Sequence, residues 1–241
     1  MKDEWTIYHE LLEEVYSDDE LISELDDPFA GQIEINADHR FLDVGCGQSP
    51  LVLKFVRQGI AVTAMDENRV VIAALDRRLR KYGEVARSLA TLVNGRYPAH
   101  PPPNPPFTMV AIRDVLHFHD RAEQKYMVQL LSARIHRGAL VTVKGHSQEH
   151  IVASNPTMDS RYKWFFSDEN LRSLFDARQY ECLWTKTYEA KPTSLYVSFI
   201  TKWVTRVGQQ HGVPPSQIAQ HVSEYLAHGP EITIEGLFRK L

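Results

Sequence analysis

Phe41-Leu42-Asp43-Val44-Gly45-Cys46-Gly47-Gln48-Ser49-Pro50 runs from a short apolar stretch into a turn holding two glycines, and from there into a helix start. Ser49 suits an N-cap and Pro50 a first helical position, so the spacing predicts a helix over Leu51–Gln58 with Gly59 closing it at C′. Glycines in the turn let backbone N–H groups come close to a ligand. The turn therefore stands at the carboxyl end of a buried first strand, the place where open α/β sheets bind their ligands.

Outward from this segment the pattern alternates short apolar runs with helical stretches. Strands are expected at Phe41–Val44, Ala61–Met65, Ala90–Val93, Met109–Ile112 and Ala139–Val143, as in a parallel sheet with crossover helices. A long loop, Gly145–Phe166, leads to a helix opening at Ser167, with Asp168 and Glu169 matched to its dipole. Tyr180–Tyr188 and Leu195–Trp203 read as two β-rich runs joined by Ala190-Lys191-Pro192-Thr193, a hairpin that makes the last strand antiparallel. The expected fold is α/β: a Rossmann-like, doubly wound, seven-stranded sheet with an antiparallel last strand.

Three segments follow. Residues 1–36 form an acidic lid of two amphipathic helices stopped by Asp26-Asp27-Pro28, residues 37–204 form the sheet domain, and residues 205–241 form a helical extension starting at Pro214-Pro215-Ser216. Pro101-Pro102-Pro103-Asn104-Pro105-Pro106 is a stiff loop between the third and fourth strands.

Composition removes several function classes. The chain has 241 residues, 43% hydrophobic and 24% charged, which is ordinary for a globular protein. Lys and Arg number 27 against 31 Asp and Glu, a net charge of −4, which disfavours a nucleic-acid partner needing a broadly basic surface. The one basic run, Arg77-Arg78-Leu79-Arg80-Lys81, reads as a solvated helix face. Two cysteines, Cys46 and Cys182, without a C-x-x-C, propose neither a disulfide framework nor a zinc site, and no metal is expected. Met1-Lys2-Asp3-Glu4-Trp5 lacks a leader pattern, and no run approaches the roughly 18 apolar residues of a spanning helix. A cytoplasmic protein with no membrane partner is expected; its oligomeric state stays open, a homodimer included.

Two more strand ends complete a pocket. Asp66 closes the second strand 19 positions beyond Gly47, where an acid can hold both hydroxyls of a ribose. Asn94-Gly95 closes the third and offers an amide to an adenine edge. A nicotinamide dinucleotide fits less well, because Pro50 stands where the G-x-G-x-x-G pattern needs its last glycine.

On Asp43, Gly45, Gly47 and Asp66 the chain resembles the class I S-adenosylmethionine-dependent methyltransferases. Phe107-Thr108-Met109-Val110, Val115-Leu116-His117 and Gly138 extend the likeness, which spans about Phe41 to Trp203. It is similar to the small-molecule enzymes of tellurite resistance or ubiquinone biosynthesis. Ser49 replaces the motif's third glycine, and Asn94 stands where many members have an acid. The resemblance implies S-adenosylmethionine as cofactor, held by Asp43, Gly45, Cys46, Gly47, Asp66, Glu67, Asn94, Gly95 and Arg113. In it, Asp43 orients the turn and the cofactor's amino-acid end. The Cys46 side chain itself reads as a small core-facing thiol.

His117 and His119, at the end of the fourth strand, are the candidate catalytic bases for a hydroxyl acceptor, against the plain reading of histidines packed under a helix. Lys144 and His146 lie near the same edge. Asp159, Arg161, Tyr162, Lys163, Trp164 and Phe165 form a loop suited to gripping a substrate, although Trp164 and Phe165 could equally seal the core. His211, His221 and His228 read as solvated or packing residues. The implied activity is O- or N-methyl transfer to a small molecule; the alternatives are a protein or RNA methyltransferase, or a cofactor-binding protein without transfer activity.

Overall fold

The computed structural model describes residues 2–150, 153, 162–190, 193–227 and 231–241. Asp159, Arg161, Lys191, Pro192 and His228 fall outside the described residues.

Seven strands form one sheet in the order β3-β2-β1-β4-β5-β7-β6. They are β1 (Arg40–Val44), β2 (Ala61–Asp66), β3 (Ala90–Asn94), β4 (Phe107–Arg113), β5 (Ile135–His146), β6 (Tyr180–Ala190) and β7 (Glu231–Lys240). The first five are parallel, and β7 runs antiparallel to both neighbours. Alternation along each strand builds two cores. Leu42 and Val44 of β1 and Val110 and Ile112 of β4 face one side. Phe41, Met109 and Ala111 face the other.

Among the described residues the helices are α1 (Glu4–Val15), α2 (Asp18–Ser23), α3 (Pro50–Arg57), α4 (Arg69–Arg80), α5 (Glu84–Ser88), α6 (Arg121–Ser132), α7 (Asp168–Arg172), α8 (Ser194–Gln210) and α9 (Pro215–Ala227). Met127, Val128 and Leu131 of α6 cover the first face of the sheet. Leu51 and Phe55 of α3, with Leu75 and Leu79 of α4, cover the second. The five expected parallel strands, the α3 start at Ser49-Pro50, the Ser167 cap and the helix after Pro214 all occur where the sequence puts them.

The closing hairpin does not. Leu195–Trp203 belongs to α8, capped by Thr193, whose side chain accepts the Tyr196 N–H. The partner of β6 is Glu231–Lys240, inside the stretch expected to be helical. Aromatic and β-branched residues give Leu195–Trp203 a strand-like local preference, but Phe199 and Ile200 are buried on one helical face against Ile7 and Leu11 of α1. Packing decides the matter, and the antiparallel last strand itself stands. No described helix is long and apolar enough to cross a membrane.

Candidate active site

Parallel strands deliver their carboxyl ends to one edge of the sheet, and the antiparallel β7 begins there too, with Thr233 opposite His146. At this edge β1 turns sharply. Gly45 and Gly47 have φ of 66° and 52°, a region costly for residues with a Cβ, and a Cβ on Gly45 would also drive into Val115 Cγ2. The Cys46 N–H donates to Met65 O at 2.9 Å, tying the turn to β2. Cys46 is buried, which pushes its thiol well above the usual value and leaves it an inert packing group.

Asp66 is the second anchor. Its Oδ2 accepts the Gly47 N–H at 3.1 Å and its Oδ1 accepts the Asn68 N–H at 2.8 Å, which starts α4. A carboxylate has about four acceptor sites, so each oxygen keeps one for a ligand. Burial raises the Asp66 pKa, against these two backbone bonds. Asn94 spends its amide N–H groups on Asp66 O at 3.1 Å and Glu67 O at 2.9 Å, which turns its Oδ1 away from those carbonyls and outward. Gly95 donates its N–H to Asp66 O, and the ring of His100 fills the space that a side chain there would need. Glu67 is exposed, 3.9 Å from Arg96 Nε.

Asp43 is buried beside the turn. Burial pushes its carboxyl up to about 6, opposed by a hydrogen bond from Ser49 and by the charge of Arg113. Arg113 in turn lies 3.0 Å from Glu235 Oε1 on β7, and that oxygen also accepts the Thr142 hydroxyl at 2.8 Å. A row of charge thus crosses the sheet from Asp43 to Glu235. Burial disfavours the charged form of Asp43 relative to the unfolded chain, so its stabilising contribution is full below the unfolded value of 3.8 and is lost as pH rises through about 6. Asp43→Asn should then raise stability by about 1–3 kcal/mol at neutral pH and by much less in mild acid. Urea titrations at the two pH values check this; an equal effect at both would show that the Asp43 charge is not what the fold resists.

The two candidate histidines diverge. His117 sits in a single 3₁₀ turn after β4, buried, with its ring 4.5 Å from that of His146 and 4.9 Å from that of Tyr162. His150 extends the cluster, its ring tilted and 4.5 Å from that of His146. The loop comes to His117 as well, since the N–H groups of Lys163 and Trp164 both donate to its carbonyl. His119 points instead to α6, with Nδ1 3.5 Å from Glu123 Oε2. Burial foremost, then the charge of Arg96, lowers its pKa. Trp164 packs against the core, under Arg121 at 5.8 Å, while Tyr162 joins the histidine rings. Among the described residues no cluster of three or more acidic, histidine or cysteine side chains is arranged to hold a metal ion.

Above the turn lies α1. Gln48, the residue after Gly47, donates from Nε2 to His9 O at 2.6 Å and accepts from Arg78 Nε at 2.7 Å. Arg78 is fully buried. Its guanidinium also binds Asp18 and the carbonyls of Leu12 (3.0 Å) and Tyr16 (3.1 Å). This corrects the reading of Arg77–Lys81 as one solvated face: Arg77 and Arg80 are exposed, paired with Glu13 and Asp76, but Arg78 faces inward. A run of like charges conceals such a residue, and only the helical period, which puts Arg78 in line with Val71, Ala74 and Leu75, could have exposed it. His9 and Asp114, the latter at φ 58° beyond Arg113, are further residues of this edge that sequence patterns did not single out.

No protein-family model matches this chain, and no curated protein does. Solved structures do resemble it. YjhP from E. coli aligns over 98% of this chain and 99% of its own, with a TM-score of 0.65 and 13% identity. Coclaurine N-methyltransferase bound to N-methylheliamine and S-adenosylhomocysteine aligns over 88% and 70%, with a TM-score of 0.66 and 12% identity. The [4+2]-cyclase SpnF aligns over 86% and 76%, with a TM-score of 0.61 and 20% identity. At such identities the likeness is one of fold. The chain has the fold of the class I S-adenosylmethionine-dependent methyltransferases, and the cyclase is a reminder that one fold hosts several chemistries.

Proposed function

We propose that this chain is an S-adenosylmethionine-dependent methyltransferase acting on an oxygen or nitrogen of a small molecule. The carrying observation is the bond between Asp66 Oδ2 and the Gly47 N–H, which fixes a carboxylate with spare acceptor sites beside a glycine turn at the edge of the sheet. Asp66 would take the ribose hydroxyls, the outward Oδ1 of Asn94 the adenine amino group, and Asp43 the amino-acid end. Bound there, the cofactor supplies a methyl group already activated on a sulfonium. The protein's own share is positioning and exclusion of water and, for a hydroxyl acceptor, removal of its proton. The His117 imidazole is the group disposed to take that proton.

A nucleic-acid acceptor needing a broadly basic surface has no support in the charge. Net charge is −4, and Arg77, Arg78 and Arg80 pair with Glu13, Asp18 and Asp76. Binding without transfer is the reading to be tested against. Calorimetric titration should show binding of S-adenosylhomocysteine, with Asp66→Ala weakening it by about 1–3 kcal/mol through loss of charge-assisted hydrogen bonds. Tighter binding of NAD would overturn the assignment. Labelled cofactor incubated with a metabolite extract should yield a labelled small molecule by mass spectrometry, and binding with no labelled product would favour the inactive binder.

A further inference from the structure

We infer that His9, carried on the α1 lid, is a binding residue for the amino-acid end of the cofactor, held in place by a relay through Gln48 to Arg78. The inference rests on the methyltransferase reading and adds a residue from outside the sheet domain to its site. Three observations converge on it.

The first is position. The point where a Cβ on Gly47 would stand is 3.8 Å from His9 Cε1, so the imidazole lies directly over the turn. The second is an unmet hydrogen bond. His9 Nδ1 is buried and has no partner among the described residues, a costly state for a ring nitrogen unless a ligand completes it. The third is the support. Gln48 grips the His9 carbonyl with one end of its amide and Arg78 with the other, and Gln48 and Arg78 are both buried. Because Arg78 can only donate, the orientation of the Gln48 amide is fixed. The residue next to the turn therefore sets the height of the helix that covers it.

The tautomer of His9 with its proton on Nδ1 suits a carboxylate. Burial lowers the His9 pKa to about 4, with the charge of Asp3 opposing, so the ring is neutral at physiological pH. A neutral imidazole can donate Nδ1–H to a carboxylate in a site where Asp43, an acid, suits the ammonium group. Trp5 and Tyr8 flank the ring, with centroids 6.4 and 5.3 Å away, and limit its rotation. Gln48 and Arg78 touch no ligand group in this scheme and act as positioning residues.

The test compares two ligands on the full chain by calorimetry: S-adenosylhomocysteine, and 5′-methylthioadenosine, which lacks the amino-acid end. His9→Ala should weaken the first at least about tenfold and leave the second within about twofold, as expected for one hydrogen bond to a charged group. His9→Asn, whose amide nitrogen stands near the place of Nδ1, should recover most of the loss. Gln48→Ala should shift the ratio of the two affinities in the same direction, and should shift it no further in a His9→Ala background. Equal weakening of both ligands would mean that His9 only packs the lid, and unchanged binding of both would remove it from the site; either result overturns the inference. Failure of the wild-type chain to bind either ligand would instead overturn the methyltransferase reading and this inference with it.

Discussion

Replacing Arg78 by Met should destabilise the protein by about 3–5 kcal/mol, the cost of removing one partner from a buried ion pair. The guanidinium is fully buried and reaches Asp18, two main-chain carbonyls of the lid and the Gln48 side chain. Its loss takes a donor from four acceptors, of which Asp18 keeps the Tyr82 hydroxyl and the Leu12 carbonyl keeps the Tyr16 N–H. Asp18 is the critical one. Burial alone would raise its pKa, but bonds from Tyr82, at 2.6 Å, and from Arg78 hold it below the usual value. Without Arg78 it becomes an uncompensated charge, so adding Asp18→Asn to the Arg78→Met chain should return part of the lost stability. Chemical denaturation gives the magnitude, and limited proteolysis shows where the loss falls. Cleavage should concentrate in α1 and α2, since α3 and α4 keep their own core contacts. A loss below about 1 kcal/mol would reduce the latch to the worth of a surface pair.

This latch marks the boundary of what the sequence made legible. The parallel half of the sheet could be read because each strand is a short buried run bounded by its own punctuation, such as Ser49-Pro50 before α3 and Gly59 after it. The residues proposed to face the cofactor lie together because the turn and Asp66 occupy fixed places at strand ends. Asp43, Gly45, Gly47, Asp66, Asn94 and Gly95 accordingly come together at one edge. The closing strands could not be paired from local pattern, because the partner of Tyr180–Ala190 lies beyond two helices. Ile232-Thr233-Ile234-Glu235-Gly236-Leu237-Phe238, just after Gly229-Pro230, was the available signal for β7. His9 and Arg78 carried no signal beyond their helical phase. Their contacts join elements remote in sequence, and Arg78 meets Leu12 across 66 positions.

With an acceptor that must lose a proton, His117→Ala should lower turnover by about 10²–10⁴-fold while S-adenosylhomocysteine affinity stays within about twofold of wild type. Position separates His117 from its neighbour. Its ring meets that of His146, at the end of β5, at a tilt and that of Tyr162 edge-on, and its carbonyl anchors the segment that carries Tyr162 across the same edge. His119 faces Glu123 at the start of α6, and its carbonyl is held by Gln124 Nε2 at 3.0 Å, contacts that belong to the turn into α6. His119→Ala should therefore act mainly on stability, with turnover reduced less than about tenfold once the folded fraction is matched. Steady-state rates on the identified acceptor, measured alongside cofactor titrations, separate the two histidines. Equal turnover in the His117 variant and wild type would leave methyl transfer to positioning alone and return His117 to the packing of the β4 end.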